Sequence, residues 1–392
     1  MSQPTTATTS TSTTILILGA GTLGTSTAYH LAQTPLGPAG RITVVDRDDP
    51  PSHAAALDLN RIVRTDYATH LYSALANEAL HAWRWNLELQ RFFHRSGWLV
   101  LGEGGDAAGL EAVRRVMRER GFDRSEDVGV GQVKGRWKVL GETELGRFGQ
   151  AYFHSEVGWV EAREATGSLM RAAEQRGVRR VRGEVGGLVW DGGRGCVGGV
   201  WLEDGRRLVA DKVVLAAGAW TSELLAPIED ELRMAEEDRL ERQARATAVV
   251  SAYYRLSPEE ARRLAKPDEL PIVVYVRVGE VIPPSEEERL LKYNFSGMMI
   301  VNSVATKNGH TISVPTTPGH NQYDMPNKIK QEMEAALTSR LLPDLVQGKQ
   351  AEHYRICWDS CTPTEDLLMC KHPHKRLSNL YLAVGGSFGG YK

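Results

Sequence analysis

The most constraining feature of the chain is a short apolar run that breaks into three spaced glycines. Residues 15–31 read ILILGAGTLGTSTAYHL, with Gly19, Gly21 and Gly24 as the glycines. Residues 15–18 form a short run of β-branched isoleucine and of leucine, which is typical of a buried parallel strand. Gly19 permits a tight turn, Gly21 lets the backbone approach a phosphate, and Gly24 lets the next helix pack closely. The start of that helix would offer unpaired N–H groups to an anion.

A second strand and an acidic residue follow at the spacing of a dinucleotide site. Residues 42–45 are apolar, and Asp46 ends the run 22 residues beyond Gly24. An acidic side chain at this place accepts hydrogen bonds from ribose hydroxyls. Three spaced glycines alone are weak evidence, but strand, glycines, helix, strand and acid in this order predict a dinucleotide site. The alternative is a glycine-rich turn in another α/β protein.

Size and charge narrow the class of protein. The chain has 392 residues, with 42% hydrophobic and 24% charged residues and a net charge of −2. This length allows two domains or one large one, and the charge favours neither nucleic-acid nor membrane partners. The first fourteen residues include ten Ser or Thr, which predicts a disordered tail over 1–14 rather than a targeting signal. Four cysteines indicate a reducing compartment, not a disulfide scaffold.

Apolar periodicity predicts the remaining elements. Strands are expected at 97–101, 178–184, 187–190, 198–202, 212–217, 247–254, 272–278, 289–295, 298–304 and 380–384. Helices are expected at 71–91, 107–120, 142–148, within 158–177, at 222–245 and at 328–342. Residues 47–70 and those from 355 to 379 are expected to be loops.

Six segments, taken in this order, resemble FAD-dependent amine oxidases of the sarcosine oxidase and D-amino-acid oxidase superfamily. The closest subgroup is the fungal-type saccharopine, pipecolate and fructosyl-amino-acid oxidases. The segments are GAGTLG at 19–24, LDLNRIVRTDY at 57–67, SGWLVLG at 96–102, VVLAAGAW at 213–220, RICWDSCTPTEDLLMCKHP at 355–373 and YLAVGGSFGGYK at 381–392. The resemblance implies an oxidase of a secondary amine of an amino acid. It would pass a hydride from the amine to FAD and two electrons to O2, giving H2O2.

The resemblance also implies a mixed α/β fold in which a Rossmann-like FAD-binding domain is joined to an antiparallel-sheet substrate domain. The FAD-binding domain is expected to be discontinuous, with residues 15–95, 150–222 and 350–392. The substrate domain would comprise residues 96–149 and 223–349.

Cofactor-binding residues follow from the matched motifs. They are Gly19, Gly21, Gly24, Asp46, Arg61, Ala217, Gly218, Cys357, Gly385 and Gly386. The resemblance implies that Cys357 joins FAD covalently through a thioether, and the nearby Arg355 would favour the thiolate. The alternative is that Cys357 is a small buried apolar residue. The spacing of Cys357, Cys361 and Cys370 fits no common zinc site, so no metal is expected.

Three residues are expected to act on substrate or oxygen. The resemblance assigns Arg64 and Lys392 to the substrate carboxylate and Lys292 to the reaction with O2. Tyr67 would line the substrate cavity, or else pack as an ordinary aromatic residue. The alternative for Arg61 and Arg64 is a solvated helical surface, and for Lys292 a solvated strand edge.

Lys392 is also the last residue of the sequence, whereas the resemblance implies a chain that continues further. One alternative is therefore a C-terminally truncated, inactive homologue. The other is a flavin dehydrogenase or monooxygenase on the same fold. The expected partners are a small amine or amino acid and O2, and the expected state is a monomer in the cytoplasm or a peroxisome.

Overall fold

The computed structural model describes residues 13–35, 41–48, 54–315, 317 and 321–386. In chain order, the strands of these residues are β1 (Ile15–Leu18), β2 (Ile42–Asp46), β3 (Arg61–Val63), β4 (Phe93–His94), β5 (Trp98–Gly102), β6 (Ser125–Asp127), β7 (Gln150–His154), β8 (Gly158–Val160), β9 (Arg179–Arg182), β10 (Val185–Asp191), β11 (Cys196–Leu202), β12 (Arg207–Val209), β13 (Lys212–Leu215), β14 (Arg245–Arg255), β15 (Ile272–Tyr275), β16 (Gly279–Ile282), β17 (Leu290–Ile300), β18 (Ser303–Ala305), β19 (Thr311–Ser313), β20 (Ala351–Cys361), β21 (Leu368–Lys371) and β22 (Leu380–Val384). The α-helices of the same residues are α1 (Thr22–Ala32), α2 (His70–Trp85), α3 (Ala107–Glu119), α4 (Val130–Arg136), α5 (Ala162–Gln175), α6 (Thr221–Glu231), α7 (Leu240–Gln243), α8 (Pro258–Leu264), α9 (Asn327–Ala336) and α10 (Pro343–Val346).

The first large sheet carries the glycine motif. Within the described ranges its strand order is β21-β22-β13-β1-β2-β9, and neighbouring strands are parallel except for β21 and β22. From β1 the chain continues to β2 on one side and later places β13 on the other. Because the strand order reverses at β1, a crevice opens beyond the carboxyl ends of β1 and β13, where open α/β sheets bind ligands. The predicted mixed α/β fold is confirmed.

The second large sheet supplies the opposite wall of the site. Its order in the described chain is β20-β14-β17-β16-β15-β5-β7-β6, antiparallel except for the parallel pair β15 and β5. On β17, Leu291 and Tyr293 point into the main apolar core, which also includes Leu264 of α8 and Met333 of α9. Side chains alternate across a strand, so Lys292 faces the other way. We call this second surface the polar face of the eight-stranded sheet.

The prediction of a loop from residue 355 is wrong for its first part. β20 pairs with β14 from Arg245↔Cys361 to Tyr254↔Ala351. The strand was missed because the side chains on its site-facing surface include the charged Arg355 beside Cys357, so the segment lacks the apolar pattern of a buried strand. Both are buried, since they face the site and not the solvent.

Four other expectations differ from the structure. Residues 142–148 form turns and not a helix, and the short strand β3 lies within the expected loop 47–70. The helical stretch expected at 222–245 divides into α6 and α7, and β17 runs unbroken to Ile300 where two strands were expected. Since β3 pairs with β8, Arg61 and its neighbours lie on a strand and not on a helical surface.

Sheet membership also bears on the domain division. The strands β7 and β20 belong to the eight-stranded sheet, whereas the sequence assigned residues 150–222 and 350–392 to the cofactor domain. The domain boundaries stay a prediction. No helix of the described residues combines the length and apolar content needed to cross a membrane.

Candidate active site

A cavity of about 1070 Å³ lies between the carboxyl edge of the six-stranded sheet and the polar face of the eight-stranded sheet. Ligand pockets of about 300–1,000 Å³ hold drug-sized molecules, so this one suits a large ligand. The sequence-predicted residues that line it are Gly19, Gly21, Asp46, Arg61, Arg64, Tyr67, Ala217, Gly218, Lys292, Gly385 and Gly386. Gly24 and Cys357 are not among the lining residues, and Lys392 lies outside the described residues.

The three glycines of the motif meet different steric demands. Gly19 has a φ of +104°, and a Cβ atom there would lie 2.4 Å from the carbonyl oxygen of Ala216. A Cβ on Gly24 would lie 1.9 Å from the carbonyl oxygen of Gly19. At Gly21, which precedes α1, the nearest atom to such a Cβ is 3.9 Å away, on Ala56. Gly19 and Gly24 are therefore required by packing, while Gly21 leaves open surface at a helix N-terminus.

Asp46 lies at the end of the cavity that contains the glycine turn. Its Oδ2 accepts a hydrogen bond of 2.7 Å from the backbone N–H of Ala20, which ties the end of β2 to the glycine turn. Burial raises the pKa of this carboxyl group, although the N–H groups of Ala20 and Asp48 oppose that shift. A ligand hydroxyl that donates to the carboxylate would stabilise its charged form.

A buried charge cluster forms where the segment before β3 crosses the polar face. The carboxylate of Asp58 accepts a hydrogen bond from Lys292 Nζ at 2.5 Å and another from the hydroxyl of Tyr253. Two guanidinium groups lie beside it, Arg61 at 3.5 Å and Arg355 at 3.7 Å. Asp58 and Lys292 have no exposed side-chain surface. We call Asp58, Lys292, Arg61 and Arg355 the Asp58 cluster.

The Asp58 cluster holds one negative and three positive charges. Burial alone would raise the pKa of Asp58, but the charges of Lys292, Arg61 and Arg355 outweigh it and hold the pKa well below its usual range. Burial lowers the pKa of Lys292, and the charge of Asp58 opposes that shift. With Lys292 protonated, the cluster has a net charge of about +2 beside the cavity. Such a field stabilises negative charge that develops nearby.

Cys357 lies behind the cavity wall, in contact with the Asp58 cluster. Its Sγ is 3.8 Å from Asp58 Oδ2 and 3.6 Å from the hydroxyl of Ser251. Arg355, two residues earlier on the same strand face, was expected to assist the thiol and lies in the same cluster. Across the described ranges, no group of three or more His, Cys, Asp or Glu is placed to hold a metal ion.

Arg64 lies in the part of the cavity lined by aromatic side chains. Its guanidinium carbon is 4.3 Å from the ring centre of Tyr67 and 5.5 Å from that of Trp98. The same guanidinium donates a hydrogen bond to the carbonyl oxygen of Asp66. Stacking on two rings leaves the edge of the guanidinium as the part suited to a carboxylate. The predicted substrate residues Arg64 and Tyr67 are therefore adjacent.

Asp66 fixes this arginine segment to the eight-stranded sheet. Its carboxylate is 2.9 Å from His154 Nδ1 and accepts a hydrogen bond of 3.0 Å from the hydroxyl of Tyr152, both on β7. Burial would raise the pKa of Asp66, but His154, Arg64 and Tyr152 together lower it. Three buried side chains thus hold the backbone that carries Arg64, which restricts the directions in which its guanidinium can point.

Asn60 is the clearest sign that a ligand belongs in the cavity. Its side chain is 1% exposed and lines the cavity, yet neither amide atom has a hydrogen-bond partner among the residues that the structure describes. A buried amide without partners costs free energy that a bound polar group would recover. Together with the open glycine turn, this amide fits a ligand that combines phosphates with a polar ring.

Sequence reasoning missed Asp58, Asn60 and Asp66 as site residues, although all three lie within the quoted motif LDLNRIVRTDY. The available signal was the presence of two acids and an amide among apolar residues in a segment that ends in a strand. The sequence did not reveal the partners of Asp58 and Asp66, because Lys292 and His154 are distant in sequence.

The fold and the motif together define a nucleotide-dependent oxidoreductase. The chain belongs to the family of FAD-dependent oxidoreductases described as "DAO: FAD dependent oxidoreductase", which matches residues 14–392. The cofactor is therefore FAD, and the class of protein expected from the sequence is confirmed.

The relatives include proteins of the subgroup that the sequence motifs resemble. The chain is 26% identical over 404 residues to L-saccharopine oxidase of Schizosaccharomyces pombe, covering 97% of this chain and 87% of that protein. It is 25% identical over 452 residues to amino acid oxidase imqH of Aspergillus flavus, covering 96% and 89%. The structure of fructosyl amine:oxygen oxidoreductase (Amadoriase I) of Aspergillus fumigatus matches with a TM-score of 0.79 and 27% identity, covering 97% of this chain and 83% of that one.

Proposed function

We propose that this protein is an FAD-dependent oxidase of the secondary amine of an amino acid. One observation carries the proposal: a single cavity joins the glycine turn that suits a dinucleotide to an arginine that suits a carboxylate. When bound, FAD supplies the acceptor that takes a hydride from the carbon next to the substrate nitrogen and reduces O2 to H2O2. The names of the relatives, which include saccharopine and amino acid oxidases, support this reaction class.

The cofactor would be held along the carboxyl edge of the six-stranded sheet. Gly19, Gly21 and the start of α1 would bind its phosphates, and Asp46 its ribose. The backbone at Ala217 and Gly218 after β13, and at Gly385 and Gly386 after β22, lines the same edge. Arg61 would lie near the flavin, and the amide of Asn60 would bind a polar edge of the ring.

Arg64 is the proposed substrate carboxylate site. A guanidinium binds a carboxylate through two parallel hydrogen bonds, and Tyr67 and Trp98 would keep it in one orientation. Lys392, which lies outside the described residues, is the other residue proposed to contact the carboxylate.

The Asp58 cluster is proposed to promote the reaction with oxygen. A fixed positive charge lowers the free energy of the superoxide-like state that forms when O2 is reduced. Lys292 would supply that charge, and Asp58 would keep its ammonium in place. Covalent attachment through Cys357 stays a prediction, as do the monomeric state and the cytoplasmic or peroxisomal location.

The test is a peroxide-coupled screen of purified protein against N-methyl and cyclic amino acids, beside an absorption spectrum. We expect a flavin spectrum, and peroxide formation that needs no NAD(P)H. Turnover only with an artificial electron acceptor would indicate a dehydrogenase, and turnover only with NAD(P)H a monooxygenase. Colourless protein that cannot be reconstituted with FAD would overturn the proposal. Arg64→Ala should lose peroxide-forming activity. Arg115→Ala, which removes an exposed arginine of α3, is the control and should retain the activity of the wild type.

A further inference from the structure

One carboxylate on the polar face has no role in the proposed reaction. Glu280 lies on β16, is half-buried and lines the cavity together with Lys292 and Asn294. Its Oε2 accepts a hydrogen bond of 3.2 Å from the side-chain amide of Asn294, whose own oxygen accepts one of 2.7 Å from Ser251. The carboxylate is therefore held in place by a neutral amide, which is itself fixed by the next strand.

No cation of the described residues contacts the carboxylate of Glu280, although the positively charged Asp58 cluster lies further along the same face. No lysine, arginine or histidine of the described residues lies within 4.0 Å of its carboxylate as an ion pair, in contrast to Asp58 and Asp66. A carboxylate in a cavity that a large cofactor would partly fill loses hydration, and this costs free energy unless a cation compensates. The missing cation can come from the ligand.

The position of Glu280 fits one end of a substrate. It pairs in register with Asn294, so Lys292 is its diagonal neighbour on the adjoining strand, at about 7–8 Å. In the other direction, Trp98 lies two strands away and two residues further along, opposite Ile282, at roughly 12 Å, and Arg64 lies over its ring. Glu280 is thus within reach of a ligand whose carboxylate is bound at Arg64.

Between these ends the cavity wall is apolar. Ile282, the next residue of β16 on the same face, is buried and lines the cavity, as does Trp98. An apolar stretch between a cation-binding and an anion-binding group matches a chain of methylene groups that has a charge at each end.

We propose that Glu280 binds a distal ammonium of the substrate, so that the enzyme prefers N-substituted amino acids with a cationic side chain. This inference rests on the proposed function, and it adds the chemical class of the side chain. Glu280 is a specificity residue that contacts the substrate away from the bond that is oxidised.

The experiment compares two substrates of equal length on the FAD-containing enzyme. Nα-methyl-lysine carries the side-chain ammonium, and N-methyl-2-aminoheptanoic acid carries a methyl group in the place of that ammonium. We expect kcat/KM to favour the lysine derivative by about tenfold or more in the wild type, since only that substrate can form a charge-assisted hydrogen bond with Glu280. Glu280→Gln should reduce this preference to roughly threefold or less, and the exposed control Glu164→Gln should retain it.

Equilibrium binding gives a second readout that does not depend on turnover. In thioether analogues of the two compounds, sulfur replaces the amine nitrogen, so that no imine can form. Calorimetric titration should show tighter binding of the analogue with the ammonium, by about tenfold or more, in wild type and not in Glu280→Gln.

The outcomes separate this inference from the function on which it rests. Peroxide from both substrates with equal efficiency, or a preference that Glu280→Gln leaves unchanged, would overturn the inference alone. An equal loss with both substrates would also overturn it, because Glu280 would then bind the reacting amine itself. If the FAD-containing enzyme yields no peroxide with any N-substituted amino acid, the proposed function fails and the inference with it.

Discussion

The ammonium of Lys292 lies 2.5 Å from the carboxylate of Asp58, a residue 234 positions earlier in the chain, and both side chains are fully buried. The contact joins the segment before β3 to the middle of the eight-stranded sheet. It also brings Arg61 and Arg355 to the same carboxylate. Both the stability of the site and its electric field depend on this one acid.

Asp58→Asn should destabilise the protein strongly. The change leaves Lys292 and Arg355 buried, and Arg61 partly exposed, without their counter-charge. Breaking a buried pair in this way costs about 3–5 kcal/mol. Urea unfolding at neutral pH, followed by tryptophan fluorescence, measures the difference. The exposed control Asp238→Asn should change the free energy of unfolding by less than about 0.5 kcal/mol. A similar loss of unfolding free energy in both variants would show that Asp58 stabilises the protein no more than an exposed carboxylate does.

The stabilisation by Asp58 should depend on pH in a defined direction. Its pKa is lower in the folded than in the unfolded protein, so its stabilisation is fully present above the unfolded value of 3.8. It is lost as pH falls from about 4 through the folded pKa, because the unfolded state takes up the proton first. The difference in unfolding free energy between wild type and Asp58→Asn should be constant from pH 5 to 7 and shrink below pH 4. A difference that grows on acidification would contradict this assignment.

Lys292→Met should slow the reaction of the reduced enzyme with O2 about 10²–10³-fold, because one preorganised charge is removed from the place where negative charge develops. Stopped-flow mixing of the reduced enzyme with oxygenated buffer measures this step separately from reduction by substrate. Lys134, which is exposed on α4, supplies the matched control Lys134→Met. A larger effect on reduction than on oxidation would assign Lys292 to substrate binding instead.

Arg64→Ala should lower kcat/KM for an amino-acid substrate roughly 10- to 100-fold, since it removes a charge-assisted hydrogen bond to the carboxylate. Replacing the substrate carboxylate by a carboxamide should cost the wild type a similar factor. The two changes together should cost little more than either alone, because they remove the same contact. Full additivity would place the carboxylate elsewhere in the cavity.

Cys357→Ser should convert a covalent flavin into one that acid releases. The wild-type protein, precipitated with acid and washed, should keep its yellow colour in the pellet, and the variant should lose it to the supernatant. Cys361→Ser, four residues further along β20, is the control and should behave as wild type. Flavin released equally from all three proteins would exclude the thioether.

The glycines offer a matched pair of alanine variants. Gly24→Ala places a Cβ 1.9 Å from a backbone oxygen and should reduce soluble yield and Tm, because the backbone must move. Gly21→Ala has its first contact at 3.9 Å, so the protein should fold but lose flavin content where a methyl group blocks the phosphates. Equal flavin content in Gly21→Ala and wild type would argue against phosphate binding at this turn.

The nucleotide half of the fold was predictable because its determinants are local. A short run of isoleucine and leucine, a glycine with positive φ and a helix with small residues on its inner face each depend on sterics within a few residues. This is why β1, α1, β2 and β13 lie where the pattern predicts them. Asp46 could be found for the same reason, since one βαβ unit fixes its distance from the glycines.

Tertiary structure alone decided the other half of the site. Lys292, Arg355 and Glu280 lie on three strands of one sheet, and only the register of those strands puts them on the polar face. A shift of one residue would turn them into the apolar core. The sequence contains these charged residues, but it does not show which of them are paired. A charge is neutralised only if the fold brings a distant group of opposite charge within hydrogen-bond distance.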